Sequence, residues 1–299
     1  MKIVAVVVTF NRRKLLEKTL AALDVQTRPL DQILIINNAS TDDTREYLDS
    51  LELNTPTRII HESVNSGGAG GFSRGIELAF EDGFDQFWLM DDDTVPRPEA
   101  LENLENGVIE AREYRGGHIP SFACSSVIWT DGSLCEMNTP EPTWDWSRPL
   151  IDGKPWIDVK SCSFVSCMVS RRAVALVGLP YKEYFIWYDD AEYTQRLSKV
   201  SPGIYVPDSK VDHLLPQNRG VNFGDVNDKN MWKFSKGVRN QVSAAFSLKS
   251  LTLIASLAEN MIKQMHGSPV STKNKAKLFG HALKGLTFHP RKRFPKTVK

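Results

Sequence analysis

The apolar positions of the chain form short runs that alternate with amphipathic stretches. Residues 3–8 are a continuous, mostly β-branched run, the pattern of a parallel strand that is buried on both faces. Further strands are predicted at 33–36, 58–61, 87–90 and 204–207. Leucines at helical spacing predict helices over about 12–24 and 98–113. This alternation predicts an α/β fold with a mainly parallel central sheet.

Polar residues follow the first two predicted strands. Thr9 and Phe10 end the first strand, and Asn37 and Asn38 end the second. The carboxyl ends of parallel strands lie along one edge of a sheet, and ligands bind at that edge in open α/β folds. We therefore expect these four residues to meet one ligand.

A glycine-rich segment, residues 65–75, follows the third strand and begins a helix. Glycines such as Gly67 and Gly68 let a backbone approach a ligand closely, and a helix start offers free N–H groups to phosphate. The segment lacks the Lys-Ser/Thr pair of a P-loop and does not follow the first strand, as a dinucleotide fingerprint would. Arg74 strengthens the indication of a diphosphate site, because a guanidinium binds a diphosphate bidentately.

The fourth predicted strand ends in three consecutive acids, Asp91, Asp92 and Asp93. Alternation along a strand end sends Asp91 and Asp93 to one side and Asp92 to the other. The outer two acids would then share a hard divalent cation through their oxygens. A solvated, Asp-rich turn that leads into Pro96 is the alternative.

A second acidic group, Asp189, Asp190 and Glu192, begins a predicted helix after an aromatic stretch. Acids at a helix start are favoured by the helix dipole, but a structural cap needs only one. A carboxylate beside a sugar hydroxyl can take its proton, as glycosyl transfer by inversion requires. His213 follows a later strand, where its imidazole is either structural or a third ligand of the cation site.

Four tryptophans lie between residues 119 and 169, in a region of short strands and turns. Exposed rings there would stack on sugars, whereas buried rings would fill a core. The pattern leaves both open for Trp129, Trp144, Trp146 and Trp156.

Composition adds three further constraints. The chain has 299 residues, of which 41% are hydrophobic, enough for a sizeable core. Its four cysteines lack metal-site or disulfide-scaffold spacing, so we expect them to be reduced and mostly buried. The amino terminus has no signal-peptide pattern, and no apolar stretch approaches a membrane span, so a cytoplasmic protein is expected.

The C-terminal region has a different character. Residues 263–299 carry ten Lys or Arg and no acid, although the net charge of the whole chain is +1. Residues 231–262 are expected to be largely helical, with inner positions at Val238, Val242, Phe246, Leu253, Leu257 and Met261. The basic tail predicts a contact with an anionic membrane surface through residues 263–299. A packed helical cap with a loose basic tail is the alternative.

The motifs, taken in order, resemble the family 2 inverting glycosyltransferases of the GT-A fold, a Rossmann-like nucleotide-sugar-binding architecture. They are Val-Val-Thr-Phe-Asn-Arg at 7–12, Asn-Asn-Ala-Ser-Thr-Asp-Asp-Thr at 37–44, Asn-Ser-Gly-Gly-Ala-Gly-Gly-Phe at 65–72, Asp-Asp-Asp at 91–93 and Trp-Tyr-Asp-Asp-Ala-Glu-Tyr at 187–193, followed by His213. The glycine-rich and Asp-Asp-Ala-Glu segments look most like bacterial galactofuranosyltransferases, with rhamnosyltransferases next.

The resemblance also implies a domain organisation. Residues 1–215 would form the GT-A domain, with 1–115 as the nucleotide-sugar-binding half and 116–215 as the acceptor-binding half. Residues 216–299 would form a helical C-terminal extension.

The resemblance assigns a role to each matching residue. The implied donor-binding residues are Thr9, Phe10, Asn37, Asn38, Gly67, Gly68, Arg74, Asp91 and Asp92. The implied ligands of Mn²⁺ or Mg²⁺ are Asp91, Asp93 and His213. Asp190 matches the catalytic base, and Trp187 and Asp189 would line the acceptor sugar. Asn37-Asn38 stands where many relatives have an acid, although an amide can still pair with a uracil or thymine edge.

The expected function is therefore transfer of a sugar from a nucleotide-sugar, best UDP-galactofuranose, to a glycan or lipid-linked glycan in synthesis of a cell-surface polysaccharide such as O-antigen. A rhamnosyltransferase that uses dTDP-rhamnose is the alternative within the class. A nucleotidyltransferase is the alternative of another class, but it needs no base after an aromatic strand. A nucleic-acid-binding protein would leave both acidic groups unexplained, so no nucleic-acid partner is expected.

Overall fold

The computed structural model describes residues 1–296. Its strands form one mixed sheet in the order β3-β2-β1-β4-β9-β6-β10-β8-β7, and β5 pairs with β10. The strands are β1 Ile3–Thr9, β2 Gln32–Asn37, β3 Thr57–His61, β4 Gln86–Asp91, β5 Thr94–Pro96, β6 Phe122–Ile128, β7 Glu141–Pro142, β8 Ile157–Ser161, β9 Cys167–Ser170 and β10 Gly203–His213.

Helices connect most of these strands and form the C-terminal region. They are α1 Arg13–Asp24, α2 Thr44–Asp49, α3 Gly67–Glu81, α4 Ala100–Tyr114, α5 Arg148–Ile151, α6 Arg171–Val177, α7 Asp189–Ser198, α8 Met231–Leu248, α9 Leu251–Met265 and α10 Thr272–Gly285. Three short 3-10 helices cover Glu136–Asn138, Lys182–Tyr184 and Phe223–Asp225.

The sheet has a parallel core and antiparallel additions. β3, β2, β1 and β4 are parallel neighbours, whereas β9 runs antiparallel to both β4 and β6. β10 is parallel to β6 and carries β5 and β8 as antiparallel partners. The predicted α/β fold with a mainly parallel central sheet is confirmed in its core.

Strand β1 is buried along its whole length, as the apolar run at 3–8 predicts. Ile3, Ala5 and Val7 pack into a cluster that includes residues of α1 and α4. The alternate residues of β1 pack on the other face with residues of α3 and α7. Because side chains alternate along a strand, a strand covered by helices on both faces must be apolar at every position.

The C-terminal helices α8, α9 and α10 form a third apolar cluster. The predicted inner positions Val238, Val242, Leu257 and Met261 are buried, but Phe246 is 43% exposed, so its prediction is wrong. The physical reason is the helical period of 3.6 residues, because positions four apart, such as 238, 242 and 246, drift around the helix by about 40° at each step. On α8 the inward position after Val242 is therefore Ala245, which is buried, and not Phe246.

The chain after α10 returns to the sheet domain. Arg293 accepts a hydrogen bond at its carbonyl oxygen from Leu179 N, at 2.8 Å, and its guanidinium donates to Ser73 Oγ, also at 2.8 Å. The tail is therefore packed, and not loose, as far as Arg293. No helix within residues 1–296 combines the length and apolar character that crossing a membrane requires.

Candidate active site

The carboxyl ends of β1 and β4 are joined by hydrogen bonds. Thr9 Oγ1 donates to Asp92 Oδ2 at 2.8 Å, and the backbone N–H of Phe10 donates to the same oxygen at 3.3 Å. Asp92 and Asp93 are both buried. The predicted edge where strand ends meet is therefore present, with the aromatic ring of Phe10 exposed beside it.

Arg12 supplies a positive charge to the Asp91–Asp93 cluster that the sequence analysis did not single out. Its Nη1 lies 2.6 Å from Asp93 Oδ2 and 3.4 Å from Asp92 Oδ1. The sequence did contain a signal for this contact. Arg12 lies three residues after β1, and β1 is the parallel neighbour of β4, so residues that follow the two strands lie close together.

His213 also reaches this cluster. β5 pairs with β10 so that Thr94 lies opposite His213, which places the imidazole Nε2 3.2 Å from Asp93 Oδ1. The other ring nitrogen lies 2.9 Å from Asn138 Oδ1, a second residue that sequence reasoning missed. Contact between His213 and the acids is thus a feature of the structure, whereas ligation of a metal by His213 remains a prediction.

The three acids differ in their electrostatic environment. Burial raises the pKa of Asp92 to about 6, although the charge of Arg12 opposes that rise. Burial acts in the same direction on Asp93, but its hydrogen bond to His213 and the charges of His213 and Arg12 outweigh it, so the pKa of Asp93 is lowered. For Asp91, burial and the charges of Asp93 and Asp92 raise the pKa well above its usual range.

These pKa shifts bear on whether the residues suit a divalent cation. Carboxylate oxygens and an imidazole nitrogen are chemically suitable ligands for Mn²⁺. Burial is the main cause of the raised pKa of Asp91, and repulsion by Asp93 and Asp92 adds to it; a divalent cation would relieve that repulsion. Within residues 1–296, however, no three His, Cys, Asp or Glu side chains are arranged to hold a metal ion. Binding of a cation by Asp91, Asp93 and His213 therefore stays a prediction.

Asn37 and Asn38 use their side-chain amides to close loops at this edge. Asn37 Oδ1 accepts from Ser40 N at 3.1 Å, and Asn37 Nδ2 lies 2.9 Å from His61 Nδ1. Asn38 Nδ2 donates to Gly67 O at 2.9 Å. Both residues are buried, so these bonds satisfy amides that burial would otherwise penalise. A direct contact between either amide and a nucleobase remains a prediction.

The start of helix α3 makes a close approach that requires glycine. Gly67 has φ +72°, and a Cβ there would lie 2.0 Å from Phe185 O. Ala69 N donates a hydrogen bond to the same carbonyl at 3.2 Å. By contrast, a Cβ at Gly68 would meet no atom within 4 Å. The glycine-rich segment thus contacts the 184–188 stretch and leaves open space beside Gly68.

Arg74 lies further along α3 and pairs with two glutamates. Its Nε is 3.4 Å from Glu62 Oε1, and its Nη1 is 3.2 Å from Glu77 Oε2. These ion pairs, and not the Asp91–Asp93 cluster, are its contacts. A role for Arg74 at a donor diphosphate remains a prediction.

The Asp189–Asp190 pair begins helix α7. Asp190 Oδ1 accepts from Ala191 N at 2.7 Å, in the first turn of the helix. Burial raises the pKa of Asp190, and burial together with the charge of Asp190 raises the pKa of Asp189 to about 8. Asp189 is buried and Asp190 is partly buried. Two adjacent carboxylates in such a setting resist double ionisation, so the pair can hold one proton near neutral pH.

Glu192, the third acid of the predicted group, has a different task. Its carboxylate lies 3.0 Å from Arg196 Nη2 and accepts from Ser247 Oγ at 2.7 Å. Both Glu192 and Arg196 are buried. The ion pair lies within α7, and the hydrogen bond from Ser247 links Glu192 to α8. Glu192 is thus engaged, which leaves Asp189 and Asp190 as the acids available for chemistry.

The two acidic groups act on one another electrostatically. Cys167, at the start of β9, lies opposite Leu89, two residues before Asp91. Burial raises the pKa of Cys167, and the charge of Asp190 adds to the rise. The charge of Asp189 likewise contributes to the raised pKa of Asp91. Residues nearly a hundred positions apart thus share one electrostatic environment.

The aromatic residues near the site divide into buried and exposed rings. Trp187 is partly buried and packs edge-on against Phe234, with ring centroids 5.0 Å apart. Trp156 is fully buried, whereas Trp144 is 99% exposed. Of the four tryptophans between 119 and 169, Trp144 therefore has the ring that is freest to stack on a ligand.

Comparison with known proteins identifies the family of the chain. The model of glycosyl transferase family 2 matches residues 4–174, which is more than half of the chain. The chain belongs to glycosyl transferase family 2. The resemblance inferred from the motifs is thereby confirmed at the level of the family.

The chain is also similar to named relatives within the family. It is 37% identical over 200 residues to galactofuranosyltransferase GlfT1 of Mycolicibacterium smegmatis, an alignment that covers 64% of each protein. It is 38% identical over 202 residues to GlfT1 of Mycobacterium tuberculosis, covering 64% of this chain and 63% of that protein. The chain therefore spans a little under two thirds of the length of these relatives.

Two solved structures of low sequence identity share the fold. The structure of S. aureus TarS 1-349 in complex with UDP superposes with a TM-score of 0.62 at 13% identity, covering 96% of this chain and 81% of that one. The structure of GalNAc-T7 with UDP, GalNAc and Mn²⁺ gives a TM-score of 0.61 at 15% identity, covering 93% and 54%. These likenesses confirm the predicted GT-A fold.

Proposed function

We propose that this chain is a metal-dependent inverting hexosyltransferase that moves galactofuranose from UDP-galactofuranose to a glycan or lipid-linked glycan of the cell envelope. The observation that carries this proposal is the contact of the glycine-rich segment with both sides of the site. Asn38, at the strand-end edge, donates to Gly67 O, and Ala69 N donates to Phe185 O in the turn before the Asp189–Asp190 pair. Such a transfer needs one acidic group for the donor's cation and another for the acceptor's proton. The choice of galactofuranose rests on the similarity to GlfT1.

The donor would bind along the carboxyl ends of β1, β2 and β4. The exposed ring of Phe10 offers a stacking surface for the nucleobase, and Thr9 and Asp92 fix the backbone beneath it. The open space beside Gly68 lets the sugar or diphosphate approach the start of α3. The solved structure of TarS 1-349 in complex with UDP supports a uridine nucleotide in a fold of this kind.

Asp91, Asp93 and His213 would hold the divalent cation, Mn²⁺ or Mg²⁺. When bound, the cation would supply positive charge against the negative charge that grows on the departing diphosphate. Arg12 adds a fixed positive charge on the same side, through its contacts with Asp92 and Asp93. The solved structure of GalNAc-T7 with Mn²⁺ supports metal use in this fold.

Asp190 would act as the general base. It takes the proton of the acceptor hydroxyl while that oxygen forms a bond to the anomeric carbon, and the bond from this carbon to the diphosphate oxygen breaks. Attack opposite the leaving group inverts the configuration. A carboxylate with a raised pKa suits this step, because a general base works best when its pKa lies near the operating pH.

The acceptor would lie between the Asp189–Asp190 pair and nearby aromatic rings. Asp189, kept protonated at neutral pH by its raised pKa, can donate a hydrogen bond to an acceptor hydroxyl. Trp187 is only partly buried and can present an edge to the acceptor sugar. We assign residues 1–115 mainly to the donor, 116–215 mainly to the acceptor and 216–299 to a helical extension.

The exposed face of α10 fits a peripheral contact with anionic lipid on the inner side of the cell membrane. Phe279 and Leu283 are exposed there although apolar, and Lys277 and Lys284 are exposed just before and just after this apolar pair. Apolar side chains that enter the membrane interface, together with lysines that bind lipid phosphates, are typical of a peripheral helix. Such a contact would bring a lipid-linked acceptor to the enzyme.

A panel of nucleotide-sugars tests the proposed function. The purified protein is incubated with UDP-galactofuranose, UDP-galactopyranose and dTDP-rhamnose, each with Mn²⁺ and with a chelator, and release of the nucleoside diphosphate is measured. We expect Mn²⁺-dependent release from UDP-galactofuranose to be the fastest. Faster release from dTDP-rhamnose would replace the galactofuranosyl assignment with the rhamnosyl one.

A further inference from the structure

The turn that leads into the Asp189–Asp190 pair has an unusual backbone. We call residues 184–188 the acceptor turn. Within it, Phe185, Trp187 and Tyr188 have φ values of 68°, 65° and 68°. Bulky L-residues rarely adopt this left-handed region, and they persist there only where surrounding contacts hold them. The contacts that hold this turn therefore set where α7 begins.

Asn240, on helix α8, makes the densest set of these contacts. Its Nδ2 donates to the carbonyl oxygens of Tyr184, Ile186 and Trp187 at 3.0, 3.0 and 2.8 Å. An amide nitrogen has two hydrogens, so three acceptors at these distances must share them. The side chain of Asn240 is completely buried.

The orientation of the Asn240 amide is fixed by its second contact. Arg239 Nη2 lies 2.7 Å from Asn240 Oδ1 and 3.1 Å from Glu183 O. A guanidinium can only donate and backbone carbonyls can only accept, so the amide oxygen must face Arg239 and the nitrogen must face the turn. Reversing the amide would break contacts on both sides.

Two further contacts hold the acceptor turn, one with α8 itself and one with α3. A Cβ on Gly237 would lie 2.8 Å from the Trp187 ring, so glycine at this position of α8 makes room for that ring. On the opposite side, Ala69 N of α3 donates to Phe185 O. The turn is thus held between the glycine-rich start of α3 and Asn240 of α8.

We propose that Asn240 is a positioning residue for the transfer reaction. By holding three carbonyls of the acceptor turn, it keeps Trp187 and Tyr188 in the left-handed conformation from which α7 starts, and so aims Asp189 and Asp190 into the cleft. This inference rests on the proposed function, because it assumes that Asp190 is the base. It gives the helical extension, which lies beyond the family-model match at 4–174, a part in catalysis.

The test uses Asn240→Asp, which keeps the shape of the side chain and an oxygen for Arg239 but removes the Nδ2 donor. Val242→Ala is the control, because Val242 is buried on the same helix in the α8–α10 cluster and its apolar side chain donates no hydrogen bond to the turn. The variants are compared by melting temperature, by UDP affinity with Mn²⁺, by kcat and acceptor KM, and by hydrogen exchange of residues 184–190. Asn240→Ala replaces Asn240→Asp if the latter does not fold.

We expect Asn240→Asp to lower kcat about tenfold or more and to raise acceptor KM, while UDP affinity stays within about twofold of the parent protein. Hydrogen exchange should speed up at 184–190. Val242→Ala should lower the melting temperature and leave kcat and exchange at 184–190 near parental values. Equal kcat in the two variants, or unchanged exchange at 184–190 in Asn240→Asp, overturns the inference.

The exchange measurement separates this inference from the proposed function. If Asp190→Asn keeps normal turnover but Asn240→Asp still loosens residues 184–190, the base assignment fails and the hold on the turn stands. If Asp190→Asn is inactive and Asn240→Asp leaves both exchange and kcat unchanged, the base assignment stands and the role of Asn240 is refuted.

Discussion

Arg12 Nη1 lies 2.6 Å from Asp93 Oδ2, so a fixed cation already sits against the acid that we assign to the divalent metal. The same guanidinium reaches Asp92 at 3.4 Å. Arg12 therefore lowers the charge that the Asp91–Asp93 cluster presents before any ligand binds. The contact with Asp93 also makes Arg12 a competitor of the metal when no nucleotide is present.

This relationship predicts the behaviour of an Arg12→Ala variant. Removing the guanidinium leaves the Asp91–Asp93 cluster more negative, so Mn²⁺ should bind about tenfold more tightly in the absence of nucleotide, a change of about 1.4 kcal/mol. Calorimetric titration with Mn²⁺ measures this change. Arg13→Ala is the matched control, because Arg13 pairs with Glu17 and Asp43. Weaker Mn²⁺ binding in Arg12→Ala than in the control would be inconsistent with competition.

The raised pKa values of the Asp189–Asp190 pair predict the pH dependence of turnover. A general base must be deprotonated, so kcat should fall as the pH drops through the pKa of the pair. Because burial raises the pKa of Asp190, this acid limb should lie above the ordinary carboxylate range of about 4. Asp189 is protonated below its raised pKa of about 8, so replacing it with Asn keeps a neutral hydrogen-bond donor beside Asp190 and should leave the acid limb near its parental pH.

The control for Asp189→Asn is Asp208→Asn, and the pH–rate profiles of the two variants are compared. Asp208 is exposed on β10, so its replacement shows how far the limb moves when a charge is removed away from the pair. An acid limb that moves to lower pH in Asp189→Asn but not in Asp208→Asn would show that Asp189 is charged while Asp190 titrates, and would contradict the assignment of Asp189 as the protonated partner.

Adjacent glycines at the start of α3 predict stability effects of different size. Gly67→Ala places a Cβ against Phe185 O at a positive φ and should lower the free energy of unfolding by about 2 kcal/mol or more. Gly68→Ala meets no atom within 4 Å and should change stability by about 0.5 kcal/mol or less. Urea unfolding of both variants measures the difference. If the two variants had equal free energies of unfolding, the close approach at Gly67 would not affect stability and the prediction would be wrong.

The exposed face of α10 predicts binding to anionic vesicles. Reversing two charges with Lys277→Glu and Lys284→Glu should weaken binding to phosphatidylglycerol vesicles about thirtyfold, at about 1 kcal/mol for each basic residue. Lys14→Glu with Lys18→Glu makes the same charge change on α1, where both lysines are exposed. Equal flotation of the two double variants would rule out α10 as the lipid-binding face.

The sequence alone predicted the elements whose signal is local. The apolar run at 3–8 correctly predicted β1, and the apolar run before Asp91 correctly predicted that the three acids follow the end of a strand. Both predictions were possible because the period and the end of a strand are set by neighbouring residues. The contact between His213 and Asp93 also followed from placing both at strand ends.

Contacts set by distant parts of the chain could not be read in this way. Arg12 and Asn138 complete the acid site only because β1 lies beside β4 and the Glu136–Asn138 turn reaches β10. In the sequence, Asn240 is an ordinary polar residue of a predicted helix. Its role follows only from its hydrogen bonds to the acceptor turn, which is distant in the chain. The loop-closing roles of Asn37 and Asn38 were hidden for the same reason, since their partners lie on other loops.

The central claim assigns binding of the donor's diphosphate to one acidic group and removal of the acceptor's proton to the other. Its most direct test measures Mn²⁺-dependent UDP-sugar affinity and turnover side by side in Asp93→Asn and Asp190→Asn. We predict that Asp93→Asn loses the Mn²⁺-dependent affinity, whereas Asp190→Asn keeps it and loses turnover by about 10²-fold or more. Near-normal turnover in Asp190→Asn, or undiminished Mn²⁺-dependent binding in Asp93→Asn, would contradict the account.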